Sequence, residues 1–113
     1  MTSKKRILWV GEASYLSTGY SRYTNEVLQR LHNTGKYEIA EFGIYGNQND
    51  PQVKKLPWKF FGNMPQNEEE EKIYNRRIVN KFGAYKFEWV CANWKPQIVA
   101  SIRDYWMDSF IIR

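Results

Sequence analysis

Arg6-Ile7-Leu8-Trp9-Val10-Gly11 is the stretch on which the fold turns. Four apolar or aromatic residues follow one another without a polar break and stop at a glycine. A strand with one wet face alternates apolar and polar residues, whereas a parallel strand covered by helices on both faces reads as a continuous apolar run. The sequence therefore predicts a buried parallel strand over residues 6–10. Downstream, Glu12 to Ser21 is small and polar, with Gly19 inside it, and reads as a loop. Tyr23, Val27, Leu28 and Leu31 then recur at helical spacing, which predicts a helix from about Arg22 to Asn33. Ser21 is placed as its N-cap and Gly35 as the residue that ends it.

Further along, residues 37–45 form a second strand candidate, and Gly46 to Pro51 is a turn-rich break. Trp58 to Gly62 reads as a short aromatic strand or an extended loop. Between Asn67 and Asn93 a long helix is expected, because Tyr74, Ile78, Phe82, Tyr85 and Trp89 recur at three- and four-residue steps. Glu68 to Glu71 fall in its first turn, where negative charge complements the helix dipole, so the acidic run has a structural reading ahead of a metal or partner site. Gly83 is a point at which that helix kinks or splits, and Pro96 ends it. Gln97 to Ile102 is a further strand, with Arg103-Asp104-Tyr105-Trp106 just past its end. Phe110-Ile111-Ile112 opens one more apolar element, which leads us to expect a fragment of a longer protein. Strand, helix, strand, helix, strand is the order of an α/β protein. We expect one domain over 1–113, a Rossmann-like three-layer sandwich with a mainly parallel sheet, incomplete at its C-terminus. In such sheets ligands bind outside the carboxyl ends of the strands. Gly11-Glu12 and Arg103-Asp104 are expected to share that rim.

Composition narrows the classes. With 113 residues, 42% hydrophobic and 17% aromatic, the chain has room for one packed domain and is too rich in rings for general disorder. No apolar stretch approaches the roughly 18 residues of a membrane span. The N-terminus lacks the apolar region of about 7–15 residues that marks a signal peptide, so a cytoplasmic location is expected. Cys91 stands alone and His32 falls in another element, so neither a disulfide nor a cysteine–histidine pair is read here. No Asp, Glu, His or Cys cluster has metal-ligand spacing; neither a metal nor a cofactor is expected. The net charge of +5 and pI of about 9.4 favour anionic partners, but apart from Lys4-Lys5-Arg6 the cations are scattered. That scatter reads as a solvated surface, with nucleic acid an unfavoured partner.

The loop from Gly11 through Arg22 carries the chemistry. Ser14, Ser17, Thr18 and Ser21 supply hydroxyls, and the free N–H groups of a helix N-terminus attract anions. Glycine spacing excludes both a phosphate-binding P-loop and a dinucleotide fingerprint. Ile7-Leu8-Trp9-Val10-Gly11, Ser17-Thr18-Gly19-Tyr20-Ser21-Arg22, the helix Thr24 to Leu31 and the Lys95-Pro96-Gln97-Ile98-Val99 step together resemble the N-terminal domain of group 1 glycosyltransferases with the GT-B fold. The resemblance implies an acceptor-side half whose partner domain, carrying the nucleotide-sugar donor, is missing, so that the chain alone is expected to be inactive. It implies that Gly11, Glu12, Gly19, Tyr20, Arg22 and Arg103 lie at the substrate cleft. Asp104 would hold an acceptor hydroxyl or act as base. Many members carry a strand-end histidine in this domain, and this chain has none there. The alternative is a stand-alone Rossmann-like module in which Trp58, Phe60, Phe61 and Tyr105 or Trp106 stack on nucleic-acid bases. A response-regulator receiver fits less well, since Glu12 alone does not make an acidic pair. An unpaired final strand also leads us to expect a homo-oligomer through an exposed sheet edge.

Overall fold

Leu8 and Val10 are fully buried on one side of the opening strand, while Ile7 and Trp9 are buried on the other. That strand, β1 (Lys5–Glu12), lies inside a sheet completed by β2 (Tyr37–Ile44), β3 (Lys59–Gly62) and β4 (Ile98–Ser101). The computed structural model describes residues 4–101. All pairings are parallel and the spatial order is β3-β2-β1-β4. Ile7 lies opposite Ile39 on one side and Ile98 on the other. Three α-helices, α1 (Gly19–Asn33), α2 (Glu68–Arg76) and α3 (Phe87–Trp94), connect the strands together with short 3-10 turns at Pro51–Lys55 and Ile78–Phe82. Leu8, Val10, Ala40, Phe42 and Phe61 pack against Val90, Phe87, Cys91 and Trp94 of α3. Trp9, Ile39 and Trp58 pack against Leu28, Val27 and Leu31 of α1. Helices therefore cover both faces, and the molecule is the expected α/β, Rossmann-like three-layer arrangement around a parallel sheet. Burying each such leucine or phenylalanine contributes roughly 1.5–3 kcal/mol.

Two helices differ from their sequence-based outlines. The first begins at Gly19, three residues early, and Thr18 rather than Ser21 caps it: the Thr18 side chain accepts from the Ser21 N–H. Its buried stripe runs through Ser21, Thr24 and Leu28, and Tyr23 is 52% exposed. The small polar residues face inward because Trp9 fills the space between helix and strand, and its indole N–H donates to Thr24 Oγ1 at 3.1 Å. Gly35, at φ 69, closes this helix by donating to His32 O, as its position suggested.

The continuous helix expected over 67–93 is instead broken into α2, the turn at 78–82 and α3. Asn80 turns its amide onto the Ile73 carbonyl, and Asn63 turns its own onto the Asn80 and Lys81 carbonyls. These side chains satisfy the backbone that a continuing helix would have satisfied. Gly83 then takes φ 108, and a Cβ there would lie 2.8 Å from the Phe42 ring. The apolar stripe is split accordingly: Tyr74 and Phe82 are buried, whereas Ile78 and Trp89 are exposed.

Candidate functional site

Chain order reverses between β1 and β4: β2 and β3 are laid down on one side of β1, and β4 on the other. At such a reversal the loops leaving adjacent strands part to opposite faces and open a crevice at their carboxyl ends. Among the described residues, the loop Gly11 to Ser21, leaving β1, and Ser101, the end of β4 opposite Val10, stand at that end of the sheet. Arg103 and Asp104 lie outside the described residues, as do Tyr105 and Trp106.

Within the crevice loop, Glu12 accepts a hydrogen bond from the Thr18 hydroxyl, and Thr18 and Ser21 share a second one at 2.8 Å. Thr18 thus ties the end of β1 to the first turn of α1. Tyr20 is 51% exposed in that turn, and Arg22 is exposed beside it, bordering a shallow groove with Tyr23, Glu26 and Arg30. The two glycines differ. A Cβ on Gly11 would meet Trp9 Nε1 at 3.2 Å, so the space beside Gly11 is filled by the chain's own indole. Nothing lies within 4 Å of the corresponding position on Gly19, which leaves the helix start open to a ligand. Of the sequence-derived site residues, Gly11, Glu12, Gly19, Tyr20 and Arg22 fall on this one loop and helix start, and Gly11 serves packing there.

Beneath the loop sits a group the sequence reading passed over. Glu41, in β2, has no solvent exposure. Its carboxylate accepts from Ser14 N at 2.6 Å, Ser14 Oγ at 2.6 Å and Trp58 Nε1 at 3.0 Å. Among the described residues no cation forms an ion pair with it. Burial pushes the Glu41 carboxyl above its ordinary range, against the three donors, which favour the charged form. The signal was a charge, Glu41, set between Ala40 and Phe42 in the apolar half of β2, unlike Glu38 near the start of the strand, which pairs with Arg6. Next to Ser14, the Tyr15 hydroxyl accepts from the Asn47 N–H at 2.7 Å, which links this loop to the turn after β2. Close approach of the same loops requires Gly43 and Gly46: a Cβ on either would lie 2.6 Å from the Phe60 ring.

The aromatic residues proposed for base stacking are placed otherwise. Trp58, Phe60 and Phe61 are buried at 7%, 3% and 8% exposure, because they form the floor of the core at β3. His32 is exposed near the end of α1, with its ring edge-on to Trp58. Cys91 is half-buried against the α3-side core, and burial raises its thiol pKa, which disfavours the reactive thiolate. Among the described residues no three His, Cys, Asp or Glu side chains gather where they could hold a metal ion. Among them, too, no helix is long and apolar enough to cross a membrane. No family model, curated protein or solved structure matches the chain.

Proposed function

We propose that this chain is the acceptor-binding half of a glycosyltransferase of the GT-B type, working with a donor-binding domain outside this sequence on a nucleotide-sugar in the cytoplasm. The observation that supports it is the position of the loop 11–21: it leaves the central strand at the point where strand order reverses, and it delivers an uncrowded glycine and a helix N-terminus to that point. In this reading Gly19 and Tyr20 present backbone N–H groups to a phosphate or an acceptor oxygen. Arg22 supplies positive charge from the next position, and Glu12, held by Thr18, accepts from a sugar hydroxyl. The resemblance adds Asp104 as base or hydroxyl acceptor and Arg103 as a substrate contact. Glu41 anchors the loop from below through Ser14.

The test is a backbone amide titration by NMR with UDP-glucose as probe. In this reading the Gly19–Tyr20 helix start meets the donor's phosphates across the cleft, even though the rest of the donor is held by the other domain. The amides of Gly19, Tyr20 and Glu12 are expected to shift together and to saturate, and Arg22→Ala to weaken the effect several-fold. Shifts confined to other parts of the molecule, or none at these amides, would overturn the reading. Binding of generic duplex DNA that weakens steeply with salt would favour the nucleic-acid module instead.

A further inference from the structure

Among the described residues, the cavity at the outer edge of β3 carries one positive charge in excess: Lys59 and Lys86 border it, against Glu70. It is half-open, about 480 Å³ in volume, with apolar walls at Phe61, Ile73 and Trp89. Small molecules bind in concave sites of this size, mostly apolar and set with a few placed polar groups. Trp89 is 58% exposed and Ile73 41% exposed, so both hold apolar surface that the fold leaves uncovered. Phe61 joins the two kinds of wall. The Trp89 ring meets it edge-on with 6.1 Å between centroids, and Lys59 Nζ lies 5.5 Å from its centroid.

The polar groups here divide into those already engaged and one that is not. Gln48 fills the strand edge: its Nε2 donates to Phe60 O at 3.0 Å, and its Oε1 accepts from Gly62 N at 2.7 Å. A peptide strand entering opposite Phe61 would find the two backbone groups it needs already bonded. Lys86 Nζ reaches Gly62 O at 3.4 Å and is held by Glu70 at 2.9 Å, so these two charges neutralise each other. Lys59 is different. Its side chain is exposed, and among the described residues no carboxylate pairs with it. The ammonium rests against a ring, which attracts it but carries no negative charge to cancel it.

We infer that this cavity binds a small planar aromatic molecule bearing one negative charge, its ring laid against Trp89 and Phe61 and its anionic group on Lys59. Both anchors lie against the same phenylalanine ring, so a bicyclic acid is long enough to touch them together. The ring-lined wall favours an aromatic body. The uncompensated lysine selects negative charge over positive. The occupied strand edge excludes a ligand that needs backbone groups. The site lies at β3, away from the β1–β4 crevice, and is independent of any sugar chemistry there.

An NMR titration tests it with naphthoate as probe, against naphthalenemethanol, naphthylmethylammonium and octanoate. Naphthoate is expected to shift the Phe61 amide and the Trp89 amide and indole N–H together and saturably. It should bind about three- to fivefold more tightly than the alcohol, the worth of one exposed ion pair, and the ammonium more weakly than either. Lys59→Gln is expected to erase the advantage of the acid while leaving the alcohol unchanged. Trp89→Ala should weaken both about tenfold. Both side chains are exposed, so neither variant opens the core. An ammonium that binds as well as the acid, octanoate that matches naphthoate, an acid advantage that survives Lys59→Gln, or no saturable shift at Phe61 and Trp89 would each overturn the inference.

Discussion

Glu41 shows what one residue can fix. A buried carboxylate with no partner cation is expensive, and it persists only when donors surround it. Here the three donors come from two places distant in sequence, Ser14 after β1 and Trp58 before β3, so the side chain measures the position of both against β2. Glutamine is nearly the same shape but has one acceptor oxygen. Either orientation sets its NH₂ against a donor that cannot turn away, the Ser14 N–H or the Trp58 indole N–H. Glu41→Gln is therefore expected to cost about 1–3 kcal/mol in urea melts at acid pH. The pH dependence has a definite sign. Folding raises the Glu41 pKa from its ordinary 4.5, so in the folded state the group holds its proton more tightly than in the unfolded one. The resulting stability is complete below that ordinary value and is lost as pH rises through the raised one. Stability curves of wild type and variant should thus converge as pH rises from 4.5. Curves that stay parallel would show that Glu41 does not titrate differently on folding.

At the scale of elements, the break between α2 and α3 depends on Gly83. Its φ of 108 is a conformation that L side chains resist, and the Phe42 ring occupies the space a Cβ needs. Gly83→Ala combines backbone strain with a clash in the core, and a loss of about 2–4 kcal/mol is expected from denaturant midpoints. A loss below about 0.5 kcal/mol would mean that Phe42 moves aside freely. β1 was legible in the sequence because burial on both faces writes itself as an unbroken apolar run, Ile7 to Val10, whereas the four residues of β3 read equally well as an extended loop. Gly35 and Gly83 were legible as the points where helices stop or split. Tyr74 through Trp89 misled because the rhythm runs across separate elements: Tyr74 in α2 and Phe82 in the 78–82 turn are buried, while Ile78 and Trp89 are exposed. What stops the helix is the pair Asn63 and Asn80, whose amides reach carbonyls 17 or 18 and 7 residues away, and such bonds leave no local pattern. The crevice loop was found by its glycine and hydroxyls. Its anchor was not, since Glu41 meets Ser14 at a separation of 27 residues along the chain.

For the molecule as a whole, the sheet is unevenly secured. β1 is paired along all eight residues with β2 and over four more positions with β4. Among the described residues β4 is paired at those four positions, and Ile98 and Val99 keep 43% and 36% of their surface exposed. Local opening follows how much apolar burial and how many ladder bonds a segment must give up. The amides of Ile7 and Trp9, on the β2 side of β1, are therefore expected to exchange only through global unfolding. Those of Val99 and Ala100 should exchange about tenfold faster or more, equivalent to about 1.4 kcal/mol less protection. Native-state hydrogen exchange against denaturant reads both quantities in one experiment. A common exchange free energy across β1 and β4 would make the sheet one cooperative unit and the crevice rigid on both sides. The expected difference gives the crevice one fixed wall, carrying Gly11 and the anchored Ser14. Facing it is one yielding wall at Ser101, so that a ligand gripping both would gain protection at Val99 and Ala100 first.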